Sequence, residues 1–125
     1  MEKFLLIVRE DMQKLINRNK EQLNAAIREM SDWVEELAQS GNYVGGEPLM
    51  SVGRYVSRDH VLSDGPFIEA KEAVSGFIMI KAENLNQAVA IAQTCPRVIR
   101  NELILEVRPL LVMDEEVRPS MYVEQ

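Results

Sequence analysis

The sequence predicts an α+β fold, in which short apolar strands alternate with two amphipathic helices. Two apolar runs, residues 4–8 and 74–82, have the length and composition of buried strands. Two longer segments, residues 20–39 and 84–95, repeat their apolar side chains every three or four positions, which is the period of an α-helix. With 125 residues, the chain has the size of one domain.

The long helix has signals for both of its ends. Asn19 is a good N-cap residue, and Gln22 stands three positions later, as in a capping box. Gly41 suits the position just after the last turn, where a left-handed conformation is common. Residues 10–19, which precede this helix, are predicted to be a loop with at most one helical turn.

The other elements follow from apolar runs and chain-breaking residues. Asn84 is predicted to cap the second helix, and Pro96 is predicted to end it. The predicted strands are residues 4–8, 43–47, 55–58, 60–62, 74–82 and 103–108. The two short strands at 55–58 and 60–62 form a hairpin in this prediction.

The predicted element order is β-α-β-hairpin-β-α-β. Two right-handed crossovers place both helices on one face of the sheet, which gives a ferredoxin-like βαββαβ fold with an extra hairpin. Residues 4–8 and 76–82, however, are apolar on both alternating sides. Burying one large apolar side chain is worth about 1.5–3 kcal/mol, so an exposed apolar sheet face is unfavourable. We therefore expect a homodimer that covers this face.

Charge and composition exclude several classes of partner. The net charge of −6, without any Lys/Arg block, argues against nucleic acid and against anionic membranes. The five-residue apolar run near the N-terminus is too short for a signal sequence or a membrane span. With Cys95 as the single cysteine, no intrachain disulfide can form, and we expect a cytoplasmic protein. The domain is predicted to span residues 1–110, and the tail 111–125 to pack on the partner subunit.

Metal and cofactor chemistry find little support in the sequence. The lone His60 and Cys95 lie 35 positions apart, which matches no zinc spacing, and no carboxylate run resembles a calcium loop. Gly45-Gly46 lacks the Lys-Ser/Thr that a phosphate-binding loop needs. We expect no metal and no cofactor. Cys95, on an apolar helix stripe, is interpreted as a buried and inert thiol.

His60 is the one residue of this group with two interpretations. If residues 60–64 form one strand, His60 and Asp64 share a face, but their Cα atoms lie about 13 Å apart. That distance is too long for a catalytic hydrogen bond. An exposed hairpin residue is therefore the favoured interpretation, and a catalytic His60 is the alternative.

Residues 64–72, DGPFIEAKE, combine a turn with a charged segment. Asp64-Gly65-Pro66 predicts a corner in which the Asp64 carboxylate accepts a hydrogen bond from a nearby backbone N–H. If the rest is extended, Phe67, Glu69 and Lys71 share one side. This arrangement fits a pocket wall, and it fits equally a solvated sheet edge.

Three further residues are candidates for ligand contact. Trp33 lies on the apolar stripe of the long helix, where a core position is the simpler interpretation. Glu36 borders the same stripe, and Glu47 stands at the end of a predicted strand. Both carboxylates could reach a pocket beside the sheet.

Taken together, these residues resemble the YCII-related family, and more narrowly its branch named for the Asp-Gly-Pro-Phe motif, the DGPF proteins. The resemblance covers residues 3–110. It rests on Trp33, Glu36-Leu37, Gly41, Gly45-Gly46-Glu47-Pro48-Leu49, residues 64–72, Gly76-Phe77 and Glu106-Val107-Arg108-Pro109. The resemblance implies a ferredoxin-like domain that forms a dimeric α+β barrel. Many relatives in this branch are encoded beside extracytoplasmic-function sigma factors.

One departure from the family pattern limits what can be carried over. Shorter YCII-like members have a histidine on the first helix and an aspartate, which together look like a catalytic dyad. Residues 20–40 contain no histidine here, so this dyad is not transferred. The acids Glu29, Asp32 and Glu36 leave a carboxylate-based site as the alternative.

The functional expectation is a homodimeric protein that binds a small molecule between the sheet and residues 64–72. If the protein is an enzyme, Asp64, Glu69 and Lys71 would catalyse cofactor-free proton transfer, as in an isomerisation or enolisation. The expected ligand contacts are Trp33, Glu36, Glu47, Phe67, Glu72 and Phe77. The alternative is a non-catalytic regulatory or protein-interaction module, linked to extracytoplasmic-function sigma factors.

Overall fold

The computed structural model describes residues 1–62 and 72–112 of the chain. Its strands are β1 (Glu2–Asp11), β2 (Tyr43–Pro48), β3 (Tyr55–Val56), β4 (Val61–Leu62), β5 (Glu72–Ala82) and β6 (Ile104–Pro109). Its helices are α1 (Met12–Ile16), α2 (Lys20–Gln39), α3 (Leu85–Ala92) and α4 (Pro96–Ile99).

Four strands form one antiparallel sheet in the order β2-β5-β1-β6. β1 and β6 are the first and last strands of the described chain, and they are neighbours in the sheet. This order confirms the predicted α+β class and its ferredoxin-like arrangement. β3 and β4 form a separate two-stranded hairpin, which lies between β2 and β5 along the chain but not in the four-stranded sheet. The assembly of two such domains into a barrel stays a prediction.

The core lies between one face of this sheet and the helices α2 and α3. On β1, Phe4, Leu6 and Val8 alternate with less buried residues, because successive side chains of a strand point to opposite faces. The remaining members of the core come from α2, β5 and α3, and Cys95 joins them before α4. These are Trp33, Leu37, Ile78, Ile80, Ala82, Ala88 and Ala92.

The helix ends confirm the capping predictions. The Asn19 side chain accepts a hydrogen bond from the Gln22 N–H, and the Gln22 side chain accepts one from the Asn19 N–H. Asn84 caps α3 in the same way, with the Gln87 N–H as its donor. Gly41 has a φ of 82°, the left-handed conformation that favours glycine after a helix.

Two local predictions were wrong. Residues 10–11 continue β1 and are followed by α1, because Asp11 caps that short helix through its carboxylate. Pro96 does not end the preceding helix, which already ends at Ala92. It begins α4 instead, at a position where the missing N–H of proline costs no intrahelical hydrogen bond.

The other face of the sheet carries a partly exposed apolar surface, which we call the open face. Leu5 pairs in register with Met79, and Ile7 with Phe77, so the four side chains lie together. No described helix covers them, whereas α2 and α3 cover the opposite face. The homodimer that this surface led us to expect stays a prediction.

Candidate functional site

A cavity of about 410 Å³ lies between α2 and the strands β2, β5 and β1, and we call it the α2 cavity. Most of its walls are apolar. They include Val8 from β1, Ile78 from β5 and, on α2, Ile27, Met30 and Val34. The volume lies within the range of about 300–1,000 Å³ that is usual for small-molecule pockets.

Glycine shapes the strand side of the α2 cavity. A Cβ on Gly46 would lie 2.5 Å from the Phe77 carbonyl oxygen and 2.9 Å from the Ile78 Cα. β2 can therefore approach β5 this closely only without a side chain at this position. Gly46 and Gly76 both line the cavity, so the wall there is backbone and the space beside it stays open.

A cluster of buried polar side chains forms one end of the α2 cavity. Glu10, at the end of β1, is 6% exposed, and Arg97, on α4, is 3% exposed. Glu10 Oε1 accepts from Arg97 Nη2 at 2.5 Å and from Arg18 Nη2 at 2.7 Å. Glu10 Oε2 accepts from Ser75 Oγ at 2.5 Å. Three donors from three separate segments therefore converge on one carboxylate, and all four residues line the cavity.

The surroundings of Glu10 keep it ionised. Burial by itself would raise the pKa of Glu10, but hydrogen bonds from Ser75, Arg97 and Arg18 outweigh burial and lower the pKa below its usual 4.5. A carboxylate with a lowered pKa is a weak base at neutral pH. Glu10 is therefore suited to fixing Arg18 and Arg97 in place rather than to removing a proton from a ligand.

A second, more polar cavity of about 630 Å³ lies on the other side of these arginines. Both cavities are lined by Arg18, Ala26 and Arg97, so these three residues form the boundary between them. The second cavity also has Lys14, Arg100, Glu29 and Glu102 among its lining residues. A molecule in the α2 cavity would thus meet both arginines at the same end.

The ion pairs continue from Arg97 away from the α2 cavity. Arg97 Nε donates to Glu102 at 3.2 Å, and Glu102 also accepts from Arg100 Nε at 2.8 Å. Arg100 forms a two-pronged pair with Glu29. The hydrogen bond from Arg100 lowers the pKa of Glu102 to about 2. The result is a row of alternating charges that runs along the second cavity.

The ligand-contact residues predicted from the sequence fall into several places. Glu47 and Phe77 line the α2 cavity. Trp33 is 2% exposed in the core, where its indole N–H donates to Thr94 Oγ1 at 2.9 Å, and it lines neither cavity. Glu36 is exposed and also lines neither cavity.

The remaining predicted site residues belong to the segment 64–72. Asp64, Phe67, Glu69 and Lys71 lie outside the described residues. The backbone of Glu72 pairs with Asp11 at the start of β5, and its side chain also lies outside the described part. The predicted role of this segment as a pocket wall stays a prediction. His60 is exposed in the turn before β4, where its carbonyl accepts from the Ser57 N–H.

The sequence interpretation missed the buried cluster of Glu10, Arg18, Ser75 and Arg97. A signal was present for Glu10, because it continues the even-numbered series of β1 that faces the core after Val8. No comparable signal marks its partners, because Arg97 is 87 positions away in the sequence.

The described residues contain neither a metal-ligating cluster nor a membrane-spanning helix. In residues 1–62 and 72–112, no three His, Cys, Asp or Glu side chains are grouped so that they could hold a metal ion. Within the same ranges, no helix has the length and apolarity that crossing a membrane requires.

Comparison with known proteins gives a family and a distant structural likeness. Residues 3–113 match the family of the YCII-related domain. A solved structure of 5-chloro-2-hydroxyhydroquinone dehydrochlorinase from Burkholderia phenoliruptrix AC1100, in complex with 2,5-dihydroxybenzoquinone, is similar over 84% of this chain and 90% of that one. The identity is 14% and the TM-score 0.45. No curated protein matches the chain. With nearly its whole length matched, the chain belongs to the YCII-related family.

Proposed function

We propose that this protein binds a small organic molecule in the α2 cavity. The observation that carries the proposal is a largely apolar space of about 410 Å³ with a buried carboxylate, Glu10, that accepts three hydrogen bonds at one end. Apolar walls favour an apolar ligand body, and a few fixed polar groups orient it. A cluster that served stability alone would not require an open space beside it.

Binding is tested with the neutral fluorescent probe N-phenyl-1-naphthylamine. Its emission should rise on addition of the protein and saturate at one probe per chain. Ala26 lines the cavity, so Ala26→Phe should fill the space and weaken probe binding by about 10-fold or more. Ala38→Phe, on an exposed position of α2 outside the cavity, is the matched control and should bind normally. No saturable binding by the folded wild type, or equal binding by Ala26→Phe, would contradict the proposal.

Catalysis is a further part of the proposal, with cofactor-free proton transfer as the reaction type. Glu10 is a poor base because its pKa is lowered, so the base would come from Asp64 or Glu69. Lys71 would stabilise negative charge that develops on an enolate-like intermediate. Lys71→Ala should then abolish turnover of an identified substrate while the fold is kept. Normal turnover by this variant would remove Lys71 from the site.

The functional unit in this proposal is a cytoplasmic homodimer of the DGPF type. The open face supports it, because Leu5, Ile7, Phe77 and Met79 present apolar surface that a second copy could bury. Met79→Glu should shift the dimer towards monomer in sedimentation velocity at micromolar concentration. Ala38→Glu, on the outer side of α2, should leave the sedimentation unchanged. A monomeric wild type would exclude the homodimer.

A regulatory or protein-interaction module remains the second candidate, and the hairpin favours it. Val56 is 75% exposed and Val61 is 64% exposed on this small two-stranded sheet. Exposed apolar side chains in a group are typical of contact surfaces. If the interaction function were the main one, Val56→Ser would disrupt association with a partner such as an extracytoplasmic-function sigma factor, and probe binding in the α2 cavity would be unaffected.

A further inference from the structure

The polar end of the α2 cavity indicates the chemical class of the ligand, and this inference rests on the proposed function. We propose that the ligand is an organic carboxylate, whose charged group is bound by Arg18 and whose apolar body occupies the α2 cavity. Arg18 lies where the two cavities meet, so it can contact a group that enters from either side.

Arg18 has hydrogen-bonding capacity to spare. A guanidinium has five N–H donors, and in the described part of the chain Arg18 uses Nη2 for its bond to Glu10. Its side chain is 17% exposed, so it is shielded but can still be reached. Among the described residues, none accepts a hydrogen bond from Arg18 Nε or Nη1, and the bond to Glu10 uses one of the two N–H groups of Nη2. The second N–H of Nη2, paired with the N–H of either Nε or Nη1, can therefore form a two-pronged contact with a ligand.

The described neighbours of Arg18 leave part of its hydrogen-bonding capacity unused. Both oxygens of Glu10 already accept hydrogen bonds, from Arg18 and Arg97 on one and from Ser75 on the other. Glu10 also divides its single negative charge between two arginines. Arg97 has Glu102 as a second carboxylate, whereas Arg18 has no second one among the described residues. The positive charge of Arg18 is thus only partly balanced.

The charge of the wider cluster agrees with an anionic ligand. The second cavity and the buried cluster together contain four cations, Lys14, Arg18, Arg97 and Arg100, and three carboxylates, Glu10, Glu29 and Glu102. This surplus of one positive charge occurs in a chain whose net charge is −6. Glu47 also lines the α2 cavity, but it pairs in register with Phe77, on the strand side that faces away from the core.

The geometry favours a carboxylate over other acceptors. Two parallel N–H bonds from an arginine match the two oxygens of a carboxylate, and such charge-assisted bonds are about twice as strong as neutral ones. The apolar walls exclude a ligand that is charged throughout. An aromatic or branched aliphatic acid, with a body of about the size of naphthalene, has both properties.

The test compares 2-naphthoate with its neutral analogue 2-naphthamide, each in competition with N-phenyl-1-naphthylamine. The wild type should bind the carboxylate about 10- to 100-fold more tightly, which is the usual effect of a hydrogen bond to a charged group. Arg18→Gln should lose this preference and keep its affinity for 2-naphthamide. Arg18→Lys should keep part of the preference, because it retains the charge without the two-pronged geometry.

The control is Arg28→Gln, which removes the same charge from an exposed position of α2 that lines neither cavity. It should behave like the wild type. Equal affinities for the two compounds in the wild type, or displacement by neither, would overturn the carboxylate proposal even if Arg18→Gln failed to fold. Because the probe is neutral, its binding tests the cavity separately, so the proposed function is judged from the probe and Ala26→Phe and not from the two competing compounds.

Discussion

Arg97 Nη2 lies 2.5 Å from Glu10 Oε1, which joins two residues that are 87 positions apart in the sequence. Both side chains are almost fully buried, at 4% and 6% exposure. The contact ties α4 to the end of β1 beside the α2 cavity. An ion pair in this position affects both the stability of the fold and the shape of the site.

Removing the arginine of this pair should be costly. Arg97→Met leaves Glu10 with fewer donors in a buried place, and breaking a buried ion pair on one side typically costs about 3–5 kcal/mol. Urea denaturation followed by circular dichroism measures this loss. Arg108→Met is the comparison, since Arg108 is 66% exposed in its pair with Glu106 and solvent screens such surface pairs, so they contribute little to stability. A similar loss in both variants would show that burial is not the cause.

The free energy of unfolding should fall in acid. The pKa of Glu10 is lowered in the folded protein from a usual 4.5, so the folded state favours the ionised form. Its stabilising contribution is present above pH 4.5 and is lost as the pH falls through the lower folded pKa. The hydrogen bond from Arg100 lowers the pKa of Glu102 to about 2, so the stabilising contribution of Glu102 is also lost as the pH falls.

Urea titrations between pH 7 and pH 2.5 measure this dependence. Glu10→Gln should be less stable than the wild type at pH 7. Its free energy of unfolding should also fall less steeply as the pH is lowered. Glu35→Gln, an exposed change on α2 outside the described ion pairs, should keep the wild-type slope. If the free energy of unfolding of Glu10→Gln depended on pH as in the wild type, other carboxylates would be responsible for the loss of stability in acid.

The glycine pair of β2 offers a matched test of the strand contact. Gly46→Ala places a Cβ against the backbone of Phe77 and Ile78, so it should destabilise the fold by about 1–3 kcal/mol and weaken probe binding. Gly45→Ala meets nothing within 4 Å and should have little effect. Thermal unfolding of the two variants, measured side by side, compares them. Equal melting temperatures would contradict the close approach of β2 and β5.

The indole of Trp33 depends on a hydroxyl from the loop after α3. Thr94→Val keeps the shape of the side chain but leaves the buried indole N–H without its acceptor, which should cost about 1–3 kcal/mol. Thr94→Ser retains the hydroxyl and should recover most of that stability. Guanidinium unfolding monitored by Trp33 fluorescence measures both. If valine were tolerated as well as serine, the hydrogen bond would contribute little.

Much of the fold was predictable because its determinants are local. The capping pair Asn19–Gln22 and the alternation along β1 depend on residues only two or three positions apart. Element order then limits the topology of a βαββαβ chain to very few arrangements. The start of α4 was misjudged because Pro96 is compatible with both the end of one helix and the first turn of the next.

The site was much less predictable. Glu47 and Phe77, which were predicted as ligand contacts, line the α2 cavity, and their contact with a ligand stays a prediction. A tryptophan has an apolar ring and one N–H donor, so Trp33 is compatible with either a core position or a pocket wall. It lies in the core because α3 and the loop that follows it pack against it, and that loop provides Thr94 as the acceptor for its N–H. The polar cluster went unnoticed because nothing near Arg97 in the sequence indicates a carboxylate partner.

The sequence by itself determined the main strands, the two longest helices with their N-caps, the order of these elements and the family, since each depends on short-range spacing or on a motif. Only the tertiary structure decided which charges meet. Glu10, Arg18, Ser75 and Arg97 come from a strand end, a loop, a second strand and a short helix, and they converge because the sheet and α2 fold around a common space. Burial there makes full hydrogen bonding of Glu10 necessary, because an unpaired buried carboxylate would be far too unfavourable.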